Sequence, residues 1–272
     1  MRRTRTWAAM LALLCCLSAL PGLAEPVWDF PLAANVVEGK GGYLVLTNRD
    51  TLLDSDYKPQ NLTALSLRSV GGQFELRREA AEALTRMFAA AEADGHKLYV
   101  KSAYRSWQTQ NSMYHNRVER YNKDDGVVAF PGSSDHQTGL GVDILNYAWT
   151  KREGMTPAFG ETAEARWMEE NCARFGFILR YMPEKQEITG IIYEPWHFRY
   201  VGDEVAQYIM QNRLSLEEFD QSVKAAIAAY EAAGGNYVEL CRQLNAPPAP
   251  KLLGESDEEG DGEVSLFYPS NP

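Results

Sequence analysis

The chain is poor in several residues that would mark common chemistries. It has only 4 cysteines in 272 residues. Two of them, Cys15 and Cys16, lie in an apolar N-terminal stretch, which leaves Cys172 and Cys241. That pair can form one disulfide or remain as two buried thiols, but it is too small for a disulfide framework. Neither cysteine has a neighbour at zinc-ligand spacing. Positive charge is also in deficit. With 27 Lys and Arg against 37 Asp and Glu, the formal net charge is −10, which argues against a general nucleic-acid binder. The chain contains no glycine-rich phosphate loop. It also contains no His-Glu-x-x-His, so the commonest helical zinc-protease pattern is excluded.

Hydrophobic residues make up 45% of the chain, enough for one sizeable domain with appendages. Residues 1–24 have the form of a secretory signal: Arg2, Arg3 and Arg5, then the apolar stretch Trp7 to Leu20, then small residues around Gly22-Leu23-Ala24. The apolar stretch is short for a membrane span, so any membrane association is expected only through an uncleaved N-terminal segment. Residues 25–60 are taken as an N-terminal extension. The domain proper is expected over 61–245, including a C-terminal helix. Residues 246–272 follow Pro247, Pro248 and Pro250 and carry the acidic run Glu255 to Glu263, which fits a solvated tail.

Hydrophobic spacing predicts helices over 78–94, 106–120, 161–174 and from Ser215-Leu216-Glu217-Glu218, a capping box, to about Ala233. Strands are expected at Tyr43–Leu46, Lys97–Lys101, Val142–Leu145, Phe177–Tyr181 and Ile188–Tyr193. Strands and helices do not alternate regularly. The expected class is therefore α+β, an antiparallel sheet with flanking helices.

Two segments carry the chemistry. In Ser134-Asp135-His136-Gln137-Thr138-Gly139-Leu140-Gly141-Val142-Asp143, the two glycines indicate a loop running into a strand, and a loop can return His136 and Asp143 to one point. In Glu194-Pro195-Trp196-His197, residues three apart would face opposite sides of a regular strand, so the chain must bend, as Pro195 allows. Taken singly, each segment could be a surface turn or a strand end. Jointly they hold two of the chain's four histidines. His136, Asp143 and His197 can then hold zinc with a position left open for water, and Glu194 can act as a base beside it. His96 and His115 belong to no motif.

Ser134-x-His136-x-x-Gly139-x-Gly141-x-Asp143 resembles the Ser-x-His-x-x-Gly-x-Ala-x-Asp signature of the zinc D-alanyl-D-alanine carboxypeptidases of the VanY type. Glu194-x-x-His197 resembles their second signature. Tyr104-Arg105-Ser106, with Gln110 five residues after the arginine, resembles a third. The departure is Gly141, where the family usually has alanine. The resemblance spans roughly residues 60–215. It implies a Hedgehog/D,D-peptidase-like zinc site in which His136, Asp143 and His197 are the ligands, Glu194 is the general base and Arg105 stabilises the oxyanion. Ser134, Gln110 and Tyr193 would help to hold substrate. The implied activity is an exported, zinc-dependent removal of the terminal D-alanine from peptidoglycan stem peptides. The alternatives are an L,D-carboxypeptidase or endopeptidase acting on the same polymer, or a non-catalytic wall-binding module. Oligomeric state is not legible.

Overall fold

The computed structural model describes residues 42–237 and Glu239. The expected signal, the first part of the N-terminal extension, Cys241 and the acidic tail lie outside the described residues. In chain order the elements are β1 (Leu62–Ala64), β2 (Glu75–Arg77), α1 (Arg78–Ala93), β3 (Leu98–Ser102), α2 (Trp107–Tyr121), β4 (Gly141–Asn146) and α3 (Tyr147–Thr150). There follow α4 (Ala163–Asn171), β5 (Phe177–Leu179), α5 (Gln186–Thr189), β6 (His197–Tyr200), α6 (Asp203–Gln211) and α7 (Leu216–Ala232). Mixed helices with antiparallel pairing agree with the expected α+β class. None of the described helices is long and apolar enough to cross a membrane.

Among the described residues, β3, β4, β6 and β5 lie side by side in that order, every neighbour antiparallel. The register decides the site. Asp143 on β4 pairs with His197 on β6 and, on its other side, with Ser102 on β3. Directly opposed residues point to the same face, so the Asp143 carboxylate and the His197 imidazole meet. β4 and β6 are buried along their whole length because both faces are covered. On one side α1 packs Leu84, Met87 and Phe88 into a core with Val142, Ile144 and Phe198. On the other, α6 and α7 bring Val205, Ile209, Phe219 and Val223 against Ile178 and Val201.

Local rules account for most boundaries. α1 buries a stripe at helical spacing and stops at Gly95, whose φ of +88° suits glycine. Ser106 caps α2 by accepting from Thr109 N, and Ser215 with Glu218 forms the full capping box of α7. The helix expected at 161–174 begins after the Thr162 cap as α4 and tightens into a 3-10 turn at Cys172–Phe175. Cys172 is fully buried, and burial pushes its thiol up to about 12.

Three readings are corrected. Residues 43–46 form no strand. The Tyr43 and Val45 carbonyls instead accept from the buried Arg199 guanidinium at 2.9 and 2.7 Å. Residues 188–193 form no strand either. Ile188 and Thr189 end α5, Gly190 turns the chain at φ +70°, and irregular backbone follows. β6 and α6 were not anticipated. His-Phe-Arg-Tyr alternates polar with apolar and looks like a half-exposed edge, yet β6 is an inner strand with Arg199 0% exposed. The segment just ahead of residue 61 joins the core. Val45, Thr47 and Leu53 are buried, and Leu53 N donates to Gly132 O at 2.8 Å.

Candidate metal centre

His136 stands in a 3-10 turn over Asp135–Thr138 that ends at Gly139, φ +69°. Its Nδ1–H donates to the carbonyl of Ala103 at 2.7 Å, and its own carbonyl accepts from Arg105 N at 3.1 Å. This fixes the tautomer and turns the Nε2 lone pair towards Asp143, 3.3 Å away at Oδ2. The other Asp143 oxygen lies 2.9 Å from His197 Nδ1. The two imidazoles stand nearly perpendicular with centroids 4.9 Å apart. Gly141 now has a physical reason. A Cβ there would meet the backbone and Cβ of Asp135 at 3.0 Å, so the glycine leaves room for the turn that carries His136.

The bend before β6 is a turn: His197 N donates to Glu194 O at 3.0 Å with Pro195 between them. Glu194 N in turn donates to Tyr181 O. Glu194 thereby lines the same cavity, of about 240 Å³, as His136, Asp143 and His197. Burial, reinforced by Asp143 and Asp135 against the pull of His197 and Arg105, pushes the Glu194 carboxyl up to about 8. Arg105 also lines the cavity and is held at both ends, by Gln110 Oε1 at 2.6 Å and Ser102 Oγ at 2.9 Å. Burial lowers its pKa, while Asp143 and Glu194 oppose that shift.

Ser134 is buried on the cavity wall. Gln110 is on the wall too, but both ends of its amide are engaged inside the protein, with Arg105 and with Ala129 O at 2.7 Å. Tyr193 is not brought to the cavity. Its hydroxyl lies over Gly160, where a Cβ would come within 2.5 Å of it. The tyrosine at the site is Tyr181, whose ring is 5.0 Å from that of His197. Sequence spacing offered no signal for Tyr181, because β5 ends before it and tertiary packing alone aims it. His96 packs near Trp167 and His115 near Tyr114, both away from the centre.

Behind the cavity lies a second charged cluster that motif spacing did not reveal. Asp135 is fully buried and accepts from Arg180 Nε at 2.9 Å and from Arg199 Nη1. Arg180 extends to both carboxylate oxygens of Glu217 on α7, at 2.8 and 2.6 Å. Arg199 was within reach of a pattern argument, since it lies two residues past His197 and shares its face of β6.

The donor set suits zinc. Among the described residues, His136, Asp143 and His197 each offer one ligand atom, all within 4.8 Å of one another and all buried. Two nitrogens and a carboxylate oxygen form a common three-ligand zinc set. Asp143 is held below the usual carboxylate range: burial raises it, but His136 and His197 outweigh that. His197 presents Nδ1 to this cluster, while its buried Nε2 makes no hydrogen bond and lies 3.7 Å from Asp135 Oδ2.

Residues 73–203 match the family described as VanY: D-alanyl-D-alanine carboxypeptidase. A D-alanyl-D-alanine carboxypeptidase from Enterococcus faecalis (strain ATCC 700802 / V583) is 37% identical over 211 residues, covering 73% of this chain and 74% of the relative. The LdcB LD-carboxypeptidase structure superposes with a TM-score of 0.63 at 37% identity, over 67% of this chain and 87% of that one. The vancomycin resistance D,D-pentapeptidase VanY in complex with Zn(II) gives 0.53 at 34% identity, over 65% and 98%.

Proposed function

The chain belongs to the VanY D-alanyl-D-alanine carboxypeptidase family, and from that premise we propose that it is exported and removes the terminal D-alanine from peptidoglycan stem peptides. It is a zinc metallo-carboxypeptidase, and a related VanY is described as a Zn(II) complex. The observation that carries the reading is the convergence of His136, Asp143, His197, Glu194 and Arg105 on one cavity. We assign His136, Asp143 and His197 as ligands. When bound there, zinc supplies Lewis acidity that activates water and polarises the scissile carbonyl.

The remaining steps belong to the protein's own groups. Glu194 takes the proton of the attacking water, and desolvation in the cavity makes its carboxylate a stronger base than an exposed one. It then hands the proton to the leaving amine of D-alanine. Arg105 faces the charge that develops on the carbonyl oxygen. Its burial strengthens that attraction, and its bonds to Ser102 and Gln110 hold it in place beforehand. Gln110 thus acts through Arg105. Ser134 offers a hydroxyl to the peptide end from the cavity wall. The family match and the carboxypeptidase relatives speak against the non-catalytic alternative.

A second reading is favoured by the likeness to the LdcB LD-carboxypeptidase: cleavage of the L,D bond in a tetrapeptide stem. Purified protein incubated with penta- and tetrapeptide stems, with and without a chelator, decides between them. Mass spectrometry identifies the bond cut. D-Alanine is expected to be released only without chelator, and no release from either peptide would overturn both readings. The proposal of export rests on the basic and apolar form of residues 1–24. Sequencing the N-terminus of protein recovered outside the cell checks it.

A further inference from the structure

We propose that Asp135 is a positioning residue for His197, and that the buried chain Arg199–Asp135–Arg180–Glu217 makes the segment at Tyr43–Val45 and the first turn of α7 working parts of the metal centre. The inference rests on the assignment of His197 as a ligand and goes beyond the family match, which ends at residue 203 and begins at 73.

The geometry separates the two nitrogens of His197. Nδ1 faces the Asp143 carboxylate at 2.9 Å. Nε2 faces Asp135 Oδ2, 3.7 Å away, on the side opposite the ligand cluster. An imidazole that offers its Nδ1 lone pair to a cation carries its proton on Nε2, and that proton calls for an acceptor. Asp135 is the carboxylate on that side, fully buried and held ionised by two arginines.

The rest of the chain is built to hold Asp135 still. Arg199 is locked by the Tyr43, Val45 and Tyr200 carbonyls, and Arg180 is held by Glu217 in a two-pronged pair. Two guanidiniums meet two carboxylates, so the charges balance in the interior. Such buried ionic clusters lose most of their attraction to desolvation, and apolar packing serves stability as well. Stability alone therefore does not account for an ionic cluster directly behind a ligand. Orientation of that ligand does, because a carboxylate behind a metal-bound imidazole fixes its ring and raises its basicity.

The test uses the full chain carrying Asp135→Asn or Glu217→Gln. Zinc affinity is measured by competition with a chelating dye, and the visible spectrum is taken after cobalt(II) substitution. Asp135→Asn is expected to weaken zinc binding about 10–100-fold and to shift the cobalt bands. Glu217→Gln, one link further back, should move both readouts in the same direction by less. A folded Asp135→Asn protein with wild-type affinity and spectrum would overturn the inference. If that variant does not fold, Glu217→Gln decides, and an unchanged affinity and spectrum there would overturn it equally. Neither readout depends on the substrate. A wild-type protein that binds zinc but releases no D-alanine would sink the proposed activity and leave this inference standing. Undiminished zinc affinity in His197→Ala would remove the ligand assignment beneath it.

Discussion

Two buried charged clusters meet at His197, and the carboxyls of Glu194 and Asp135 in them are held on opposite terms. On the cavity side, the Glu194 carboxyl is pushed up to about 8 and Arg105 is drawn down by burial, so both are held away from their ordinary states. On the inner side, Asp135 is held below the usual carboxylate range: burial raises it, but Arg199 and Arg180 outweigh that. Arg180 is pushed above its ordinary range by Asp135 and Glu217 despite burial, while burial draws Arg199 down against the pull of Asp135. The difference teaches that burial alone does not make a group reactive. A buried carboxylate paired with two arginines stays ionised and serves to hold its neighbours, whereas a carboxyl left incompletely paired at a cavity is poised to exchange a proton.

The comparison can be broken at several points. The largest effect is expected on the cavity side. Glu194→Gln keeps the shape but removes the base, so turnover should fall towards 10⁴-fold, roughly 5 kcal/mol of barrier. Zinc content measured on the same protein should be unchanged. Hydrolysis at the original rate would show that the base lies elsewhere.

Arg180→Met attacks the inner cluster. It strands Asp135 and Glu217 without the guanidinium they share, which should cost about 3–5 kcal/mol of folding stability in denaturant titrations. A variant as stable as the parent would mean that the inner cluster is not closely paired in solution.

A smaller effect is expected where α7 begins. Ser215→Ala removes half of the capping box and should cost about 1 kcal/mol, read as a drop in melting temperature. Its partner Glu218 has a lowered pKa: slight burial raises it, but Lys185 and Ser215 pull it down further. The sign follows. Its contribution is complete above the ordinary glutamate range near pH 4.3 and fades as pH falls through the lowered value. Thermal melts of the parent between pH 6 and 3 should lose this increment only at the acidic end.

The smallest effect is expected beyond both clusters. Truncation after Ala246 should leave zinc affinity and hydrolysis of a soluble stem peptide unchanged, because every proposed site residue precedes that point. A truncated protein that binds zinc but cannot cleave the peptide would place part of the working site in the acidic tail.

Much of the cavity side was legible because its residues are rare types in short motifs. His136 and Asp143 sit on one loop-to-strand segment, and Glu194 and His197 share one turn, so glycine and proline chemistry sufficed to bend each pair inward. The inner side was not legible. Asp135 finds Arg180 and Arg199 at sequence separations of 45 and 64 residues, and Arg199 reaches Tyr43 across 156. No local pattern encodes such pairings. The strand misread at 188–193 has a related cause: its β-branched residues favour extension, but Gly190 and the outward exposure of Ile188 let the chain turn instead.

By itself the sequence determined which side chains could serve as ligands and base, and where the backbone could bend to present them. Composition, residue rarity and turn chemistry are local properties, and they survive without knowledge of the fold. The tertiary structure decided which nitrogen of His197 faces the ligand cluster, which tyrosine lines the cavity, and which carboxylate stands behind the imidazole. Those outcomes depend on strand register and on burial. Electrostatic strength varies with distance and with exclusion of water, and neither is fixed until β4, β6 and the covering segments are packed together.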